Sequence, residues 1–108
     1  MTMHQVQLTA WGEPENLHFT EAPMPSPLRG HVLLKVTAAG VNPIDLTTRK
    51  GLGPAASLIN LDQDPAVLGW DVAGLVCETA GDYTGFQPGE KVFGLVQFPH
   101  PGKAYAEY

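Results

Sequence analysis

A chain of 108 residues, 44% of them hydrophobic, fits one domain with a real core and excludes a disordered chain. Six basic residues against eleven acidic ones give a net charge of −5, and no Lys/Arg cluster exceeds the pair Arg49–Lys50, which argues against a nucleic-acid partner. No apolar run approaches a membrane span, MTMHQVQLTA lacks the regions of a signal peptide, and a lone cysteine, Cys77, excludes an internal disulfide, so a reducing cytoplasm is the expected location.

Twelve glycines and ten prolines favour a turn-rich β architecture over a helical bundle. Val6, Leu8 and Ala10 alternate with polar neighbours and read as a first strand. Gly12–Asn16 is turn chemistry, and Leu17–Glu21 is a second strand. Pro23, Pro25 and Pro27 impose an extended linker, because each fixes φ and lacks an amide donor. His31–Ala38 is the next strand, with Val32, Leu34 and Val36 on one face. Asn42-Pro43-Ile44-Asp45 predicts a helix start, with Asn42 as N-cap, Pro43 at the first helical position and Asp45 facing the free amides of the first turn. That helix should end at Gly51. Residues 52–64 read as an irregular loop with a turn of helix near Ser57–Asn60. Asp71–Thr79 is a strand, Gly81-Asp82 and Pro88-Gly89 are turns (the latter of type II), and Lys91–Val96 is a further strand. Phe98–Gly102 is a loop, and Ala104–Tyr108 begins a last strand. Several short strands with one or two short helices predict a small β-barrel or sandwich.

Four blocks carry more than periodicity. AGVNPIDLTTRKG (Ala39–Gly51), LGWDVAGLV (Leu68–Val76), QPGEKVFGLV (Gln87–Val96) and the terminal GKAYAEY run in one order over nearly the whole chain. Together they resemble the GroES-like, catalytic domain of the quinone oxidoreductase branch of the medium-chain dehydrogenase/reductase superfamily. The resemblance implies a mainly β, GroES-like barrel over residues 1–108, as a fragment without the Rossmann cofactor domain that follows in such enzymes.

Asn42 reads two ways that can coexist. It is a helix cap, and the resemblance places the matching residue beside the nicotinamide, where its amide would orient a substrate carbonyl as charge develops. Zinc-dependent alcohol dehydrogenases of the superfamily carry Gly-His-Glu where Gly69-Trp70-Asp71 stands, and a cysteine at the Asn42 position. Neither Trp70 nor Asn42 suits zinc there, and His4, His18, His31 and His100 show no ligand spacing, so a zinc-independent site is expected. Trp70 is expected to wall the cleft, Asp71 to hydrogen-bond at its strand start, and Cys77 to be a buried core thiol.

Thr47 stands where relatives commonly carry Tyr or Lys, and Gly53 where some carry Tyr, so no protein-borne general acid is in view. Thr47 and Phe98 are expected to shape the substrate pocket, with Asn42, Thr47 and Arg49 toward the cofactor. Phe98 reads equally as an apolar plug under its loop, and Arg49 equally as half of a surface ion pair. Gly51-Leu52-Gly53-Pro54-Ala55-Ala56 matches G-x-G-x-x-[GA], but polar Thr47–Lys50 precede it instead of a buried strand, so it is read as a decoy.

The resemblance thus implies an NADPH-dependent reductase of quinones or α,β-unsaturated carbonyl compounds, with a small electrophile as partner. The residues alone leave open a non-enzymatic β-barrel module for binding or assembly. The chain by itself is expected to be inactive, to bind no NADPH in the micromolar range, and to self-associate as a homo-oligomer through an unpaired edge left by Ala104–Tyr108.

Overall fold

The computed structural model describes residues 1–81 and 85–108. The predicted Gly81-Asp82 turn therefore falls partly outside the described residues, at Asp82. The elements run β1 (Thr2–Leu8), β2 (Leu17–Pro23), β3 (Val32–Gly40), α1 (Pro43–Arg49), α2 (Gly53–Ala56), β4 (Asp71–Thr79) and β5 (Lys91–Leu95). The protein is mainly β, with two short helices. No described helix is long and apolar enough to cross a membrane.

β1 and β2 form an antiparallel pair from Thr2↔Pro23 to Leu8↔Leu17. β3, β4 and β5 form a second antiparallel sheet in that order. Within it Gly40 faces Asp71, and Asp71 faces Leu95, so the end of β3, the start of β4 and the end of β5 lie side by side. Residues 104–107 tie the two sheets together. The amide of Val6 on β1 donates to the Tyr105 carbonyl at 2.9 Å, and that of Val36 on β3 donates to Glu107 at 2.8 Å. The Glu107 side chain also accepts the backbone N–H of His4.

Where the pattern was strictly local it held. β4 has the bounds the alternation gave, with Val72 and Val76 buried on its inner face. Gly89 takes a φ of 95°, the left-handed conformation that a type II turn requires of its third residue.

Other expectations shift. β1 stops at Leu8, so Ala10 is an exposed turn residue. On β3 Leu33 is the buried residue, while Val32, Leu34 and Val36 are half-buried. Register shifts at Leu33/Leu34 and Val36/Ala38 break the period of two, which no count of alternating residues reveals. The turn of helix in the loop is Gly53–Ala56, four residues earlier than expected, and Pro54 sits in its first turn, where a missing N–H costs nothing. Cys77 is exposed near the outer end of β4, not a core thiol. Ala104–Tyr108 forms a single bridge, Ala106 to Gln5, instead of a strand. Its backbone bonds reach β1 on one side and β3 on the other, so it is a shared seam and not an open edge.

The core gathers Leu8, Ala55, Ala66, Leu68 and Trp70, with Leu17, Ile44, Ile59, Leu61 and Tyr105 packed around them. It therefore joins the β1–β2 hairpin, both helices and the 66–70 segment that leads into β4. The candidate site sits at the border of this core.

Candidate active site

Asn42 heads α1 in an extended conformation (φ −126°, ψ 162°), and Pro43 is pre-set for the first helical position. Asp45, 4% exposed, reaches back, and its Oδ2 accepts the Asn42 backbone N–H at 2.8 Å. Its Oδ1 accepts the backbone N–H of Gly69 at 3.1 Å. One buried carboxylate thus fastens the helix start to the segment that delivers Trp70 and Asp71. A buried carboxylate is tolerable only with such partners. Asp45→Ala would strand both N–H groups, and we expect it to lower unfolding free energy by about 3 kcal/mol in urea titration. Asp45→Asn, which keeps an acceptor oxygen, should lose less.

Tyr105 packs beneath. A Cβ at position 69 would meet its ring within 2.7 Å, so Gly69 leaves the space that the ring fills. Its hydroxyl donates to the Gly40 carbonyl at 3.3 Å. Burial first, then the neighbouring Asp45 carboxylate and the charge of Asp71, push the phenol well above its usual range. It stays protonated at any physiological pH and acts as a fixed brace.

The Asn42 side chain takes part in a capping box with Asp45 at the head of the helix and also reaches beyond it. Its Nδ2 donates to Asp71 Oδ2 across the β3–β4 end. Trp70, 2% exposed, donates its indole N–H to the His100 carbonyl at 2.7 Å. That bond fixes the loop carrying Phe98, whose ring meets Trp70 edge-on at 5.6 Å and 79°. Asn42, Ile44, Trp70, Asp71, Leu95 and Phe98 line one open cavity of about 340 Å³. Apolar walls with an amide and a carboxylate at one side suit a small, flat molecule held by one polar group.

The structure therefore brings together Asn42, Trp70 and Phe98. It does not bring Thr47 or Arg49 to the same cavity. Thr47 Oγ1 donates to the Pro43 carbonyl at 3.1 Å, one turn back on α1. Arg49 Nε donates to Gly12 O at 2.9 Å, and the side chain lines a separate hollow with Asp45, Leu46 and Tyr105. That bond to a carbonyl takes the place of the ion pair that one sequence reading allowed. Sequence reasoning missed Tyr105 and the bridging role of Asp45, although the spacing of Asn42 and Asp45 signals the local half of it.

Residues 28–106 match the family model of the alcohol dehydrogenase GroES-like domain. The chain belongs to that family. Among solved structures, this GroES-like domain is similar to the quinone oxidoreductase from Coxiella burnetii, with a TM-score of 0.88 and 38% identity, over 99% of this chain and 33% of that one. It is also similar to a putative zinc-dependent alcohol dehydrogenase protein from Rhizobium etli, with a TM-score of 0.81 and 31% identity, over 99% and 30% of the two chains. The mouse mitochondrial NAD(P)H oxidoreductase RTN4IP1 is 37% identical over 99 residues, which are 80% of this chain and 24% of that protein. The domain thus spans about a quarter to a third of the length of the relatives it matches. Those relatives are oxidoreductases of the medium-chain dehydrogenase/reductase superfamily.

Two groups implied by such relatives can be tested on this chain. For zinc, the sequence resemblance would put ligands at Asn42 and Trp70; the Trp70 indole N–H is donated to the His100 carbonyl, and an indole nitrogen does not ligate. Among the described residues no three His, Cys, Asp or Glu side chains gather where they could hold a metal ion. The donor set does not fit zinc. For a dinucleotide, Gly51–Ala56 follows helix α1, not a strand, and opens a four-residue helix. The described strands pair antiparallel throughout. Nothing described in this domain cradles a pyrophosphate, whereas the cavity beside Asn42 is large enough for one aromatic ring.

Proposed function

We propose that the chain is the substrate-side domain of a zinc-independent, NADPH-dependent oxidoreductase that reduces quinones or α,β-unsaturated carbonyl compounds. The observation that carries this reading is the cavity itself, an apolar slot floored by Trp70 and Phe98 with the Asn42 amide on its wall. The similarity to a quinone oxidoreductase over nearly all of this chain supports it.

When bound, the nicotinamide supplies the hydride. Asn42 does the local work. Its Nδ2 carries two hydrogens, and one is given to Asp71, which leaves a second for a carbonyl oxygen of the electrophile. That bond strengthens as negative charge grows on the oxygen. Trp70 and Phe98 hold the flat acceptor, while Ile44 and Leu95 keep water from its face. Thr47 is bonded within α1 and Asp71 to Asn42, so the proton that completes the reduction is drawn from water or the cofactor ribose. Of the α1 residues assigned toward the cofactor, Asn42 borders the ring-sized slot; Thr47 and Arg49 would meet outer parts of the cofactor only. A companion domain holds its phosphates.

The test is Asn42→Ala in the full-length protein, with NADPH oxidation followed against a panel of quinones and enones. We expect kcat to fall about ten- to a thousandfold, with a smaller change in cofactor affinity. A correctly folded variant with unchanged kcat would leave Asn42 only its place at the head of the helix.

A further inference from the structure

Asp71 makes one contact that neither strand pairing nor core packing requires. Its carboxylate lies on the same cavity wall as Asn42 and accepts the amide Nδ2 of that residue. The two residues are 29 apart in sequence and belong to different elements, the entry to α1 and the start of β4. The neighbouring strand makes room for this pairing. Gly40 is the cross-strand partner of Asp71, and a Cβ at position 40 would stand 3.0 Å from both the Asp71 Cβ and Oδ2. A side chain there would crowd the Asp71 carboxylate, which would have to give by a few tenths of an ångström. The backbone of Asn42 is held independently, by Asp45.

A primary amide has a donor end and an acceptor end of nearly equal size. The capping box turns the oxygen end toward the Asp45 backbone, and the contact with Asp71 holds the other end. An ionised carboxylate can only accept, so the amide facing Asp71 must turn its NH₂ end toward it. Resting on the reading of Asn42 as substrate donor, we propose that Asp71 is the positioning residue that sets the polarity of the site. It locks the Asn42 amide so that its remaining N–H, and not its carbonyl, serves the cavity. The same charge sets specificity. The wall beside the donor is negative, so the electrophile is an uncharged carbonyl acceptor, and an anionic one is repelled.

The experiment uses side-chain amide signals in ¹⁵N–¹H spectra together with kinetics. In the unaltered protein, one of the two Asn42 Nδ2 protons should resonate downfield of ordinary side-chain amides and exchange slowly. In Asp71→Asn that proton should return to the ordinary range, while backbone signals outside the site stay in place. An ordinary, fast-exchanging Asn42 pair in the unaltered protein overturns the proposal, and so does a shifted pair that Asp71→Asn leaves unmoved. If Asp71→Asn does not fold, the unaltered protein decides alone. In the full-length protein Asp71→Asn should lower kcat about tenfold with little change in KM, and under twofold when Asn42 is already alanine. It should also improve the relative rate with carboxylate-bearing quinones. Equal losses in both backgrounds overturn the positioning role. An Asn42→Ala protein with full kcat, beside an amide proton still tied to Asp71, would remove the donor reading and leave the locked amide standing.

Discussion

Replacing Trp70 with alanine should lower the unfolding free energy by about 4 kcal/mol, the range for removing a buried aromatic ring from a core. The ring is 2% exposed and belongs to the central cluster with Leu8, Ala55, Ala66 and Leu68. Two losses add to the cavity. The His100 carbonyl would lose its donor, and Phe98 would lose its edge-on partner. Domains of this size are commonly stable by only about 5–15 kcal/mol, so the variant should be substantially unfolded in mild urea. Trp70→Phe separates the effects. It restores most of the packing but not the indole N–H, and should cost about 1–2 kcal/mol. Equilibrium urea titration measures both. A Trp70→Ala protein within 1 kcal/mol of the parent would mean that the ring is not the keystone that its burial implies, a threshold set by ordinary surface substitutions of about ±0.5 kcal/mol.

Gly102→Ala should be nearly as damaging although it adds a single methyl group. A Cβ at position 102 would stand 2.3 Å from the Gly69 carbonyl oxygen, 2.7 Å from the Trp70 ring and 3.0 Å from the Val96 carbonyl oxygen. Two of these neighbours are backbone atoms and cannot swing aside. The Gly69 carbonyl also accepts the Ala104 N–H at 3.1 Å, so moving it disturbs the seam that joins the sheets. Overpacking of this kind costs about 3 kcal/mol when the backbone must shift. Thermal unfolding followed by near-ultraviolet circular dichroism should show a lower midpoint and an altered Trp signal. An unchanged midpoint would show that the 96–104 loop relaxes freely and that its hold on Trp70 is loose.

What could be read from the sequence was whatever depends on near neighbours. β4 was legible because Val72, Gly74 and Val76 alternate inward across the first six residues of the strand. The start of α1 was legible because Asn42, Pro43 and Asp45 each meet a different need of a helix N-terminus within four positions. β3 was harder, since its two register irregularities come from pairing with β4 and not from its own residues. Cys77 looked internal in an apolar run, yet it lies on the outward side of a strand whose inner face is Val72 and Val76. At the site, the motifs point to Asn42, Trp70 and Phe98, and these three share a cavity. The contacts that shape the site were hidden. Asp45 reaches Gly69 across 24 residues and Asp71 reaches Asn42 across 29, and only the folded chain brings those pairs together. Thr47 and Arg49 follow Asn42 on one helical stretch, but a helix turns about 100° per residue, so Thr47 falls on another side, while Arg49 lies two turns further along and is drawn to the Gly12 carbonyl.

The most direct test of the account is a ¹⁵N–¹H titration of the protein with an uncharged para-quinone up to millimolar concentration. The account predicts that the Asn42 side-chain amide, the Trp70 indole and the Phe98 backbone amide shift together on one binding curve. Signals from Gln5, Asn60 and Lys103, which border a different hollow, should stay in place. Shifts confined to that other hollow, or to the exposed outer face around Phe93, with Asn42 and Trp70 unmoved, would contradict it.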